Sequence, residues 1–205
     1  MRKTQFPFLL AAVTLGLAGC ASSDDPSTGT ATSAIESHSE ENVQITPADI
    51  LAPYSLEDRN VDDVVDALDQ MPVNERPEDL IASVRIDQLE LSTNEGSAAM
   101  DMPEDKTYVS FAPYVDSTHP CTFHSLTTCQ GEMRNAPMHI KITESESNRV
   151  LVDDRVKTFD NGFYGVWLPR DLEGKIEVTH EGKTGSADFS TKANGATCVT
   201  DLKLS

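Results

Sequence analysis

The second half of the sequence alternates between short runs of mixed apolar and polar residues and residues that favour tight turns. The runs are KTYVSFAPYV, APMHIKITES, RVLVDDRVKTF, FYGVWLPR, GKIEVTHEG, KTGSADFST and TCVTDLKL. The turn signals between them are Ser147-Asn148, Asp160-Asn161-Gly162, Glu173-Gly174 and Glu181-Gly182. Many short strands at this spacing bury their apolar faces against one another, so residues 101–205 are predicted to form a mostly antiparallel β-sandwich.

One part of this region also resembles known sandwich modules. The order of strands and turns in NGFYGVWLPRDLEGKIEVTHEGKTGSADF is similar to that of transthyretin-like, carboxypeptidase-regulatory and immunoglobulin-like surface modules. Such a likeness concerns the fold alone, because these folds carry many unrelated functions.

The region from residue 44 to residue 100 has helical features. Thr46 before Pro47 is typical of a helix start. A longer helix is predicted from an apolar stripe at helical spacing, which ends at Pro72 and has acidic residues on the opposite face: Val61, Val64, Val65, Leu68 and Met71. This stripe is either core or a contact in a homodimer. The predicted fold class is therefore α+β, with a small helical N-terminal region before the sandwich.

Two stretches in this region have less regular patterns. RPEDLIAS is consistent with the start of a second short helix. SVRIDQLELST alternates imperfectly between apolar and polar residues, which favours a single strand with a bulge.

The N-terminus predicts export. Arg2 and Lys3 precede a short apolar run that ends in Leu17-Ala18-Gly19-Cys20, so residues 1–19 are predicted to be a signal peptide with a lipobox. Cys20 would then be lipidated, although an ordinary signal with a chance cysteine is the alternative. Residues 20–43 are polar and acidic and are predicted to be a disordered tether. The expected location is extracytoplasmic, with the chain anchored by lipid to a bacterial cell envelope.

The charge of the chain restricts its partners. The formal net charge is −18, with 34 acidic and 16 basic residues. A strongly negative chain repels phosphate backbones, so nucleic acid is excluded as an expected partner. The sequence also contains no recognisable motif that pairs a catalytic nucleophile with a general base. The protein is therefore not expected to be an enzyme.

The cysteines form an odd set once Cys20 is assigned to lipid. Cys121, Cys129 and Cys198 remain, and three thiols cannot all pair within one chain. Intermolecular pairing, a reactive thiol or a bound metal would explain the third thiol. The final predicted strand carries Cys198, and its pairing beside the strand that leaves the Cys121–Cys129 loop would bring the three sulfurs together.

The residue types suit a soft metal ion, but their spacing is not decisive. Thiolates with a neighbouring imidazole favour Cu(I), with zinc as the other candidate. The seven residues between Cys121 and Cys129 match neither a zinc ribbon nor a CxxC redox motif. A structural disulfide, either Cys121–Cys129 or Cys129–Cys198, therefore stays open as an alternative, and so does a redox role for the thiols.

The segment YVSFAPYVDSTHPCTFHSLTTCQGEM is similar to the CueP family of bacterial extracytoplasmic copper-binding proteins. The shared motif has the form C-x-x-H-S-L-x-x-C-x-G-E with a distant third cysteine, and its residues here are Cys121, His124, Ser125, Leu126, Cys129, Gly131, Glu132 and Cys198. The resemblance runs from about residue 44 to the last residue and implies copper binding and transfer to a receiving protein in copper tolerance. The lipobox is a departure, because the family is associated with soluble periplasmic proteins.

The histidines differ in their expected roles. The resemblance implies that His124 is a ligand beside the three cysteines, and His119 and His139 are candidates for the shell around them. The predicted function is a cell-envelope protein that sequesters copper or hands it on. A thiol–disulfide redox protein and a tethered recognition module with a structural disulfide are the alternatives.

Overall fold

The fold is described from a computed structural model that covers residues 45–205. The predicted signal peptide, the lipidated Cys20 and the tether over residues 20–43 lie outside this range. Within it, no helix combines the length and the apolar character needed to cross a bilayer.

Two of the three predicted helices are present. Helix α1 covers Pro47–Leu51, and Thr46 and Asp49 cap it reciprocally. A 3₁₀ turn over Ala52–Tyr54 follows, and helix α2 covers Val61–Gln70. The predicted helix in RPEDLIAS is wrong, because this stretch holds no helix and its end forms the first strand. Pro77 denies that stretch a backbone N–H and favours extended backbone in the residue before it.

The first sheet has three antiparallel strands in the order β1-β2-β3. Strand β1 covers Ile81–Val84, β2 covers Gln88–Ser92 and β3 covers Ser97–Asp101. The prediction of one bulged strand over residues 83–93 is therefore wrong. The chain reverses between β1 and β2, and the Arg85 N–H donates to the Gln88 carbonyl at 2.8 Å.

All seven strand-like runs of the second half form strands. They are β4 (Lys106–Phe111), β5 (Pro137–Glu144), β6 (Val150–Lys157), β7 (Tyr164–Pro169), β8 (Glu173–His180), β9 (Lys183–Ser190) and β10 (Cys198–Val199). They make a three-stranded sheet in the order β10-β4-β7 and a four-stranded sheet in the order β6-β5-β8-β9. Every pairing in these sheets is antiparallel except the short one between β10 and β4.

The sheet β10-β4-β7 lies between two apolar cores. Val109 and Phe111 of β4 pack against the four-stranded sheet, as a sandwich requires. Tyr108, which alternates with them, packs on the other side against α2 and the first sheet. These two layers of packing confirm the α+β class and the predicted sandwich.

Helix α2 buries its apolar stripe in the second of these cores. Val64, Val65 and Leu68 are fully buried there. The stripe is therefore part of the core. These three side chains are not available for a homodimer contact, which was the alternative role of the stripe. The predicted boundary at residue 100 falls within β3, and the same core includes Tyr108 and Leu126 from beyond that boundary.

Candidate metal centre

The cysteine loop runs from β4 to β5 and is held against the edge of the first sheet. His124 and Leu126 exchange backbone hydrogen bonds with β1: the Val84 N–H donates to the His124 carbonyl and the Leu126 N–H to the Ala82 carbonyl, both at 2.8 Å. The Leu126 side chain is fully buried in the core beside α2. The Ser-Leu pair of the motif therefore fixes the backbone next to His124.

Strand β10 brings the third cysteine to this loop. Cys198 lies opposite Ser110 of β4 in the parallel pairing. The sequence analysis expected the last strand beside β5, which leaves the loop; it pairs instead with β4, which enters the loop. The backbone N–H groups of Thr197 and Cys198 both donate to the Thr122 carbonyl, at 3.0 and 3.2 Å. These bonds hold Cys198 beside the start of the motif, so the three sulfurs do come together.

Two of the three sulfurs are bonded to each other. Cys121 and Cys198 form a disulfide with a Cα–Cα distance of 5.7 Å. Cys129 is the free cysteine of the described range, and its Sγ lies 3.8 Å from the Cys121 Sγ. Neither disulfide considered from the sequence is the observed one, because both involve Cys129. The pairing follows from β10, which sets Cys198 next to Cys121.

The His124 imidazole is oriented by a buried carboxylate. Its Nε2 lies 2.8 Å from Oδ1 of Asp69, and both side chains are inaccessible to solvent. An ionised carboxylate can only accept a hydrogen bond, so Nε2 carries a proton. Nδ1 is then directed to the sulfurs and lies 4.0 Å from the Cys198 Sγ. Histidine ligands in metal sites are commonly held by a carboxylate in this way.

Asp69 also belongs to the site, although the sequence predicts that the acids of α2 lie on the face opposite the apolar stripe. It is fully buried. Tyr108 Oη donates to its Oδ2 at 2.8 Å and Asn161 Nδ2 to its Oδ1 at 2.8 Å. A signal was present, because Asp69 lies four residues after Val65 and hence on the apolar stripe.

A buried arginine connects α2 to the cysteine loop. Arg76 donates from one terminal nitrogen to the Cys129 carbonyl at 2.9 Å and from the other to the Asp69 carbonyl at 3.3 Å. The second nitrogen also lies 3.8 Å from Asp69 Oδ1. This bridge fixes the free cysteine relative to the carboxylate that holds His124.

Charge pairing governs the ionisation of the site. Burial lowers the pKa of His124, but the adjacent Asp69 carboxylate outweighs it and raises the pKa to about 9. Burial raises the pKa of the Cys129 thiol, but the hydrogen bond and the positive charge of His124 outweigh it, and the pKa lies below its usual value. The Ser125 N–H also donates to the Cys129 Sγ at 3.3 Å. The thiolate form of Cys129 is thus easier to reach than that of an ordinary thiol.

The remaining motif residues build the loop. The Gly131 N–H donates to the Asn161 carbonyl at 2.6 Å, and a Cβ on Gly131 would lie 2.8 Å from the Gly162 carbonyl oxygen. The Glu132 carboxylate accepts from the backbone N–H groups of Val115, Asp116 and Ser117. Gly131 therefore permits close backbone packing, and Glu132 ties down the segment before the cysteines.

The structure brings together five of the six predicted metal-site residues. His119, Cys121 and Cys129 each offer a ligand atom within 4.8 Å of the others, and so do His124, Cys129 and Cys198. His139 is the exception and its prediction is corrected. It lies on the exposed face of β5, where Nε2 is 2.7 Å from Oδ1 of Asp153 on β6.

The donor set suits a soft ion. Both groups consist of sulfur and imidazole nitrogen, which bind Cu(I) and Zn²⁺ in preference to Mg²⁺ or Ca²⁺. The nearby Asp69 carboxylate is already occupied by its donors. Once the Cys121–Cys198 disulfide is reduced, the residues present fit copper.

Comparison with known proteins identifies a family. Residues 63–203 match the family described as "Periplasmic copper-binding protein CueP". A solved structure described as the crystal structure of S.CueP is 42% identical, with a TM-score of 0.72, and the match covers 77% of this chain and 96% of that chain. No curated protein matches. The resemblance carried by the cysteine motif is confirmed, and the chain belongs to the CueP family of periplasmic copper-binding proteins.

Proposed function

We propose that the protein sequesters copper in the cell envelope as Cu(I), bound by the thiolates of Cys121, Cys129 and Cys198 and by Nδ1 of His124. The observation that carries this proposal is the buried imidazole, which Asp69 holds with Nδ1 towards the sulfurs. Three soft donors and an imidazole match Cu(I) better than a hard ion. We expect binding and release of the ion, and no chemical turnover.

The disulfide makes this capacity depend on redox state. In the oxidised form, Cys121 and Cys198 share electrons in the S–S bond, and Cys129 is the thiol that remains in the site. Reduction by a dithiol delivers two electrons and two protons and yields two further thiols. These thiols then lose their protons to become ligands, so acidification weakens copper binding.

A Cu(I) titration tests the proposal. The dithiol-reduced protein, freed of the reductant under anaerobic conditions, competes with bicinchoninate for Cu(I). We expect one tightly bound Cu(I) per chain, a large loss of affinity on combined Cys→Ser replacement at residues 121, 129 and 198, and little loss for His139→Ala. Equal affinity of the triple variant and the wild type would refute the site. Copper-edge X-ray absorption should show sulfur and nitrogen scatterers, and parallel titration with Zn²⁺ tests the metal preference.

We also propose that Cys20 is lipidated and that residues 20–43 tether the domain to a membrane. The support is the lipobox and the polar composition of the segment. Anchoring would hold the copper site close to the membrane, where a receiving protein could take the ion. The Cys20→Ser variant should shift from the membrane fraction to the soluble fraction. If the wild type is already soluble and carries no lipid by mass spectrometry, the tether proposal is wrong.

A second candidate function is thiol–disulfide exchange, favoured by the 3.8 Å between the sulfurs of Cys129 and Cys121. The Cys129 thiolate would attack Cys121, forming one S–S bond while the bond to Cys198 breaks and Cys198 leaves as a thiolate. Catalytic oxidation of a dithiol peptide, abolished by Cys129→Ser, would support this role. Absence of turnover together with tight Cu(I) binding favours copper handling.

A further inference from the structure

Two overlapping three-residue groups share Cys129. The first, called the outer set, is His119, Cys121 and Cys129, and all three residues are half-buried. The second, called the inner set, is His124, Cys129 and Cys198. The inner set is deeper, since His124 is 0% and Cys198 3% exposed. A single sulfur therefore belongs to one group near solvent and to one group in the interior.

The two groups lie beside the same aromatic side chain. Phe163 is fully buried, and its ring centroid lies 6.3 Å from that of His119 and 4.6 Å from that of His124. The two imidazoles thus flank the same ring. A cleft of about 260 Å³ is lined by His119, Gln130 and Gly131 among others, so it reaches His119 of the outer set from solvent. Solvent access is on the side of the outer set.

The histidines of the two sets are held differently. Asp69 fixes the His124 ring, whereas the His119 ring makes no hydrogen bond to any residue in the range 45–205. A ring that is already fixed loses little rotational freedom when it binds a metal, but a free ring has to be ordered. The inner set should therefore bind the ion more tightly, and the outer set should bind and release it faster.

We propose that Cu(I) is loaded in two steps, first onto the outer set and then onto the inner set, with Cys129 bound to the ion throughout. This inference rests on the proposed copper function and describes the reduced protein. In the second step the copper bond to His119 breaks and bonds to His124 and Cys198 form, which gives the site of three thiolates and one imidazole proposed above. Cys198 gives up its thiol proton and His124 the proton on Nδ1, and both protons pass to solvent. The oxidation state of the ion does not change.

Two cysteine variants separate the sets. The reduced Cys198→Ser variant keeps the outer set whole, and the reduced Cys121→Ser variant keeps the inner set whole. In Cys198→Ser, copper affinity should fall about tenfold or more on adding His119→Ala and change little on adding His124→Ala. In Cys121→Ser, the dependence should be the reverse. If both variants depended on the same histidine, a single site would be present and the proposal would be wrong.

Loading kinetics test the order of the two steps. Transfer from the Cu(I)–bicinchoninate complex to reduced protein is followed by stopped-flow absorbance, with His139→Ala as the control for loss of a histidine away from the site. His119→Ala should load about tenfold more slowly than this control, whereas His124→Ala should lose about tenfold in affinity. Loading of His119→Ala at the control rate would overturn the proposal. Failure of wild type to bind Cu(I) would instead overturn the proposed function itself.

Discussion

Replacement of Asp69 by asparagine tests whether this carboxylate holds the His124 imidazole, the proposed copper ligand. The change keeps the size of the side chain and removes its charge. It also converts one of two acceptor oxygens into a donor, although His124, Tyr108 and Asn161 all donate to this side chain. At least one of these three donors loses its acceptor in a place that water does not reach.

The magnitude follows from these contacts. A hydrogen bond to a charged group contributes about 1.5–3 kcal/mol, and breaking a buried ion pair costs about 3–5 kcal/mol. The contributions are coupled and do not add in full, so the free energy of unfolding should fall by about 3–5 kcal/mol. Loss of the carboxylate also removes the main cause that raises the pKa of His124.

Urea unfolding of the metal-free protein at pH 7 measures this loss, and Asp63→Asn is the matched control. Asp63 lies in the first turn of the same helix and is exposed. The control removes the same charge and should cost about 1 kcal/mol or less, the size of a helix-dipole effect. The ¹⁵N chemical shifts of the His124 ring give a second readout, since Nε2 should lose its fixed proton in Asp69→Asn.

The reasoning would be refuted by one clear result. If Asp69→Asn unfolded within about 1 kcal/mol of the Asp63→Asn control and bound Cu(I) with wild-type affinity, the carboxylate would neither stabilise the core nor position the ligand. Loss of copper affinity at unchanged stability would show that Asp69 acts on the metal site alone.

Three further predictions concern the cysteine loop and the backbone that packs against it. Leu126→Ala should reduce the free energy of unfolding by about 2–5 kcal/mol in the urea assay. It should also weaken Cu(I) binding in the bicinchoninate assay. A variant as stable as the wild type would show that this side chain does not anchor the motif. Gly162→Ala should lower the thermal midpoint of unfolding more than Gly182→Ala. Both glycines have φ of +81°, but a Cβ at residue 162 would lie 2.4 Å from the Gly131 oxygen, whereas a Cβ at residue 182 would enter open space. Equal thermal midpoints would contradict this. The pKa of Glu132 is lowered mainly by the Ser117 N–H, so its stabilisation is present above pH 4.5 and is lost as the pH falls through its folded-state pKa. Glu132→Gln should therefore be less stable than wild type at pH 7, with a difference that shrinks towards pH 3.

The strands of the second half could be predicted because turn residues bound each run and apolar residues alternate within it. Strand β3 could not, since Ser97–Asp101 holds alanines and one methionine and has no strong β-forming residue. The turn between β1 and β2 was missed for a related reason: the residues 85–87 contain neither glycine nor proline. Tertiary pairing with β3 and the cysteine loop fixes it instead.

The residues of the candidate site could be predicted more fully than the disulfide and the hydrogen bonds that join them. The sulfurs and His124 entered the prediction through the resemblance of the motif to the CueP family, because their spacing alone left a disulfide open. The disulfide partner was beyond reach, since it depends on the parallel placement of β10 beside β4. Asp69 was missed among the other acids of α2. Its helical position, four residues after Val65, indicated an inward-facing side chain, but its charge argued against burial.

The position of β10 determines when the three sulfurs can come together during folding. Cys121 and Cys198 are 77 residues apart in sequence, and all strands of the four-stranded sheet lie between them. Contacts between segments so distant in sequence carry a large loop-closure cost and are slow to form. If Cys198 is a ligand, as proposed, a chain that has not yet placed β10 lacks one sulfur of the site. Copper retention would then report completion of the fold, and a bound ion would stabilise the folded protein by mass action.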